Sequence, residues 1–71
     1  MEQRYEVWRY HKLVGVFTIN ELKNWMLHHL PARYVDEIQA ATVAYDPEYK
    51  SRSLDWIATC SGYCSIEPLD S

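Results

Sequence analysis

Glycine is almost missing from this chain: Gly15 and Gly62 are the only two in 71 residues. Two isolated glycines cannot build a phosphate-cradling loop, which needs a run of backbone N–H groups free to close on a ligand. Nor can they make a flexible linker between domains. Cysteine is equally scarce, and Cys60 and Cys64 stand in a C-x₃-C spacing rather than the C-x₂-C or C-x₄-C of zinc knuckles. No apolar run approaches the ~18 residues that a membrane span needs. Met1-Glu2-Gln3-Arg4 is not followed by an apolar stretch and does not read as a signal peptide. The expectation is therefore a cytoplasmic, reducing setting in which both thiols are free. Cations are a minority, with 7 Lys+Arg against 10 Asp+Glu and a net charge of −3. That balance argues against nucleic-acid binding through bulk charge, which shows as a basic domain.

What is present fits one small domain over residues 1–71. Hydrophobic residues make up 48% and charged residues 24%, an ordinary globular composition. A chain this short buries only about 60% of its unfolded surface, so its core is thin. The charge is unevenly placed. Residues 1–33 hold five basic residues (Arg4, Arg9, Lys12, Lys23, Arg33) against three acidic ones, while residues 34–71 hold two against seven. A polarised surface of this kind can steer a partner of opposite sign; a solvated face with no such role is the simpler reading.

The order of elements follows from periodicity and caps. Tyr5 to Tyr10 is rich in aromatic and β-branched residues and reads as a strand. His11-Lys12 is the expected turn, and Leu13 to Phe17 the buried strand that pairs back. Gly15 within it points to a bulge or a close backbone approach. Thr18-Ile19-Asn20-Glu21 is a capping box, with Phe17 and Leu22 at the two positions of a hydrophobic staple. Ile19, Leu22, Trp25, Met26 and Leu30 then form one apolar stripe, and Pro31 stops the helix, giving a helix over 18–30. Tyr34 to Tyr45 reads either way: as a helix it sets Tyr34, Ile38, Ala41 and Tyr45 on one face, which its Gln-Ala-Ala middle suits, and as a strand over Ile38 to Tyr45 its Thr-Val-Ala-Tyr end fits. The strand is preferred. Asp46-Pro47 starts a turn, Glu48 to Ser53 forms a polar loop, and Asp55 to Cys60 reads as a strand. Ser61-Gly62 turns the chain into a short edge strand at Tyr63 to Ile66, and 67–71 is a frayed tail. The expected fold is α+β, a small antiparallel sheet in β-β-α-β-β order with the amphipathic helix packed on it.

Little in the sequence carries covalent chemistry. Asp36-Glu37 is the only adjacent carboxylate pair, and no apolar surroundings flag it for acid–base work. His28 and His29, adjacent on a helix, point about 100° apart and make poor joint metal ligands. No catalytic residue, metal or cofactor is assigned. The aromatic content is what needs explaining: three Trp, six Tyr and one Phe, 14% of the chain. Large rings fill a small core well. Tyrosine, however, is enriched where a ring meets another molecule and its hydroxyl stays wet. Tyr5, Tyr10, Tyr34, Tyr45 and Tyr49 are the candidates for such a surface. Arg4, Arg9 and Lys12 interleave with Tyr5, Trp8 and Tyr10 in a way that RNA stacking would also use, against the net charge.

Residues 8–25 resemble the proline-rich-peptide-binding GYF domain. Trp8-Arg9-Tyr10 stands at that family's Trp-x-Tyr, Gly15-Val16-Phe17 at Gly-Pro-Phe, and Leu22 and Trp25 at the Met and Trp that come next. Val16 replaces the proline, and the closing Gly-Tyr-Phe falls on His29-Leu30-Pro31. The resemblance implies an aromatic groove for polyproline-II ligands built from Trp8, Tyr10, Phe17 and Trp25. With Tyr34 these are the expected binding residues. The function expected is a non-catalytic protein-binding module that takes another protein, in its sharpest form an extended or proline-rich peptide. The alternatives are a stand-alone acidic regulator or inhibitor of phage or mobile-element type that blocks a host enzyme or nucleic-acid-binding protein, and a Cys/His metal or thiol protein. A homo-oligomer is compatible with all three; a membrane partner is not.

Overall fold

A computed structural model of the chain describes residues 3–48, 50 and 52–69. β1 (Tyr5–Arg9) and β2 (Lys12–Phe17) form an antiparallel hairpin, and β3 (Ser65–Pro68) pairs antiparallel with the other edge of β1, giving the sheet order β2-β1-β3. The hairpin turns one residue earlier than expected, at Tyr10-His11, with Arg9 paired to Lys12. Both turn residues have positive φ, 49° and 64°, as a two-residue type I′ turn demands. The register shifts between Val7 and Trp8, which face Gly15 and Leu13 and leave Val14 as the extra residue. The bulge expected at Gly15 sits beside it, and what approaches is a side chain rather than a backbone: a Cβ there would lie 3.0 Å from Cζ of Phe17. The Phe17 ring occupies the space that a side chain at position 15 would fill.

α1 (Ile19–His29) forms as expected. Thr18 N–H donates to Glu21 Oε1 at 2.9 Å, and Glu21 N–H donates to Thr18 Oγ1 at 3.4 Å. The Thr18 backbone bond holds the Glu21 carboxyl below its ordinary pKa. Leu22 and Met26 are fully buried, and Leu30 closes the helix just before Pro31. Against that stripe pack Val7, Ile38, Leu54, Ile57 and Ile66. Full burial of side chains this size stabilises the fold by about 1.5–3 kcal/mol each.

The second half departs from expectation. Ile38–Tyr45 is not a strand: a 3₁₀ turn (Ala32–Tyr34) leads into α2 (Val35–Ala40), and 41–45 is irregular. The helix-favouring Gln-Ala-Ala prevails because Ile38, Ala41 and Ala44 can then all enter the core. Lys23 Nζ also reaches across from α1 to donate to the carbonyls of Gln39 (2.9 Å) and Ala41 (3.0 Å), supplying acceptors at a helix end with a cation. Asp55–Cys60 is likewise a helix, α3 (Leu54–Ser61). Its caps decide it. Buried Ser53 accepts from Trp56 N–H at 3.0 Å, and Gly62 ends the helix in the left-handed region at φ 71°. Leu54, Ile57 and Ala58 form its buried stripe. The edge strand falls at Ser65–Pro68 rather than 63–66, so Glu67 and Pro68 belong to the sheet and not to a tail, and Leu69 N–H donates to the Arg4 carbonyl at 2.9 Å. The result is a three-stranded antiparallel sheet with three helices, still α+β but not β-β-α-β-β.

Candidate functional site

The pairing register divides the sheet into two faces. Val7 and Ile66, opposite one another, point into the helical layer and are buried. Trp8, the next residue along, faces the other way with its partners Leu13 and Ser65. On this outer face and along β2 lie large apolar side chains left in water: Leu13 is 48% exposed, Val14 42% and Val16 38%. Tyr10 stands at the hairpin tip, 84% exposed. β2 is an edge strand, and no described residue pairs with its far side. Its only charge is Lys12, at one end. Natural sheets guard such edges with charge, proline or bulges; here the guards are the bulge at Val14 and the terminal Lys12.

A second feature begins at the same tip and runs over the helical side. Phe17 and Trp25 have ring centroids 6.0 Å apart, Trp25 stacks on His29 at 4.6 Å, and Trp25 and His29 meet Tyr63 at 5.9 and 6.4 Å. The Arg9 guanidinium then lies 3.8 Å over the Tyr63 ring and 5.0 Å over that of Tyr10. Arg9 Nε donates to the Tyr63 carbonyl at 2.8 Å, which fixes the head group between the two rings.

Of the residues expected to bind, Trp8 and Tyr10 lie on the hairpin with the exposed apolar side chains. Phe17 and Trp25 meet one another, but on the opposite side of the sheet from Trp8 and half-buried against the core. The four therefore do not line one groove. Tyr34 sits in the 3₁₀ turn beneath Arg33, whose guanidinium is 5.1 Å from its ring; it makes no ring contact with the other four. Tyr5 and Tyr45 are half-buried, and Tyr49 lies outside the described residues. Sequence reasoning missed Tyr63 as a member of the ring cluster centred on Trp25, and Arg9 as the link from Tyr63 to the hairpin tip. The available signal was Gly62: a helix stop there places the next residue beside the end of β1. The apolar run Leu13 to Phe17 predicts a buried strand, yet the sheet's open outer face leaves Leu13, Val14 and Val16 exposed.

The histidines and thiols are separated. His28 Nδ1 lies 2.8 Å from the Asn24 carbonyl, and His29 is engaged with Trp25. Cys60 is exposed and Cys64 buried, both as free thiols. Burial pushes the Cys64 thiol up to about 11, against the pull of Arg9. Among the described residues no three His, Cys, Asp or Glu side chains gather as a metal site. None of the helices they form is long and apolar enough to cross a membrane. No family model, no curated protein and no solved structure matches this chain.

Proposed function

We propose that this protein is a non-catalytic protein-binding module, and that its principal contact is the unpaired edge of β2 with the apolar side chains beside it. The observation that carries the reading is the coincidence of two features on one strand. β2 offers a row of backbone groups with no partner among the described residues, and Leu13, Val14 and Val16 stand exposed along it. An extended segment of another protein adding to this edge would satisfy those groups, while its alternate side chains would meet the outer face around Trp8. The bulge at Val14 re-aims that side chain, as bulges next to binding sites do.

This geometry favours an extended segment with free N–H donors over a proline-rich one, because proline removes the donors that edge pairing uses. The proline-rich form implied by the GYF resemblance would instead rest on the rings of Tyr10, Trp25 and Phe17. Proline-rich peptides that move the amide resonances of Tyr10 and Trp25 and leave those of Leu13, Val14 and Val16 untouched would favour that form. The module reading is tested by identifying a partner with the wild-type chain and repeating the measurement with Val14→Lys/Val16→Lys. Both positions are exposed, so the fold is retained, and edge lysines block strand addition. Binding is expected to be lost in this variant and kept in Asn24→Lys on α1. A partner that binds the double-lysine variant undiminished refutes the site.

A further inference from the structure

Beside the hairpin tip, between the end of β1 and the α3–β3 connection, lies an open cleft of about 540 Å³ whose walls include Trp8, Arg9, Tyr10, His11, Tyr63 and Glu67. The cleft is a different place from the free edge of β2, and a ligand bound in it would require no partner on that edge. Four of these six, Trp8, Tyr10, His11 and Tyr63, carry aromatic rings. Arg9 adds a guanidinium whose position is fixed twice over, by the hydrogen bond from Nε to the Tyr63 carbonyl and by its place over the Tyr63 ring. Neither contact uses the two Nη nitrogens. Arg9 forms no ion pair with a carboxylate among the described residues. A pre-ordered guanidinium with its outer donors free is the group that planar, bidentate carboxylate recognition requires.

The surroundings narrow the ligand further. Tyr10 and His11 are both held at positive φ without being glycine or asparagine. Strained conformations of this kind persist where the rest of the structure over-determines them, and they gather at ligand-holding sites. Here they set a phenol ring and an imidazole on the cleft wall, where a glycine-containing turn would set nothing. Cys64 also lines the cleft, with its thiol kept protonated by burial, so it adds no negative charge. Glu67 on the same wall opposes multiply charged anions such as phosphate esters more than a single carboxylate.

We propose that this cleft binds a carboxylate carried on an aromatic or apolar body, with Arg9 holding the carboxylate and Tyr10, Tyr63 and Trp8 flanking the body. The C-terminal residue of a peptide and a free aromatic acid share this chemistry. Trp8 supplies a convenient reporter, because its indole N–H is buried and finds no acceptor among the described residues.

The test is an NMR titration of the full chain with N-acetyl-L-phenylalanine, its carboxamide, phenylacetate and adenosine monophosphate. N-acetyl-L-phenylalanine is expected to shift the Trp8 indole N–H and the Tyr63 amide saturably, and the carboxamide to bind about tenfold more weakly or worse. Arg9→Gln should remove the difference between acid and amide. Tyr10→Ala, an exposed position that leaves the core intact, should weaken both. Tighter binding of N-acetyl-L-phenylalanine than of phenylacetate supports the proposal with a peptide end as source; the reverse order supports it with a free acid as source. Equal binding of acid and amide, equal or tighter binding of the nucleotide, or no saturable shift at Trp8 and Tyr63 overturns it.

Discussion

Replacing Tyr10-His11 by Asn-Gly should make the protein more stable while damaging the cleft. The two residues occupy both central positions of the hairpin turn with φ 49° and 64°. A side chain with a Cβ costs roughly 1–2 kcal/mol in that region, since the Cβ crowds the following carbonyl. Asparagine tolerates it and glycine adopts it freely. Asparagine keeps a Cβ and recovers only part of that cost, so against a gross gain of about 2–3 kcal/mol stand two losses. Glycine returns roughly 0.5–1 kcal/mol through its freedom in the unfolded chain. Removing Tyr10 gives up the exposed Arg9–Tyr10 cation–π contact, worth about 0.5 kcal/mol. The net expectation is a gain of about 0.5–2 kcal/mol, and for a domain of this size each kcal/mol raises Tm by about 4–8 °C. Thermal unfolding followed by circular dichroism measures it. NMR cross-peaks between Arg9 and Lys12 confirm that the register of the turn is kept. An unchanged or lowered Tm with that register intact would refute the claim that the turn stores strain.

Ser53→Ala removes the buried cap of α3 and leaves the Trp56 N–H without its acceptor; a loss of about 1–2 kcal/mol in denaturant unfolding is expected. Gly62→Ala meets no atom within 4 Å, so its cost is backbone conformation alone, about 1 kcal/mol, and Gly62→Asn should cost less. Lys23→Met strips the donor from the Gln39 and Ala41 carbonyls and should destabilise by about 1 kcal/mol, with increased amide exchange confined to α2 and 41–45. A thiol reagent at pH 8 should modify Cys60 in the native protein and Cys64 only after unfolding, because one thiol is exposed and the other buried. Since the Cys64 thiol rises from 9.0 to about 11 on folding, the folded state holds its proton longer than the unfolded state. Its contribution is full below pH 9 and is lost as pH rises towards 11. Denaturation midpoints across that range, compared with Cys64→Ala, isolate the effect.

The hairpin and α1 were legible because their signals are local. Thr18 and Glu21 cap one another within a single turn, and Pro31 forbids continuation. α3 was not, because Trp56, Ile57 and Thr59 are strand formers taken singly, and only the cap at Ser53 with the stop at Gly62 outweighs them. The segment at 38–45 turned on tertiary contacts that no local pattern displays: the burial of Ile38, Ala41 and Ala44 and the reach of Lys23 from α1. The candidate site was legible by halves. Trp8 and Tyr10 could be named from aromatic content, but whether Phe17 and Trp25 share a face with them depends on strand register. The bulge at Val14 sets that register.

The sheet order has a consequence in time. β1 lies in the middle of the sheet, yet its two neighbours reach it on very different terms: β2 closes through a two-residue turn, whereas β3 pairs Tyr5 with Pro68 across nearly the whole chain. Non-local pairing is slow because the loop must be closed before any contact rewards it. During folding, the hairpin and α1 therefore wait with the second edge of β1 still open, and Val7 keeps no cover from Ile66. In that interval β1 is itself an edge strand, which it is not in the folded sheet. A strand offered by another chain could take the place reserved for β3, which makes the 65–68 segment the guard of the central strand as well as its neighbour.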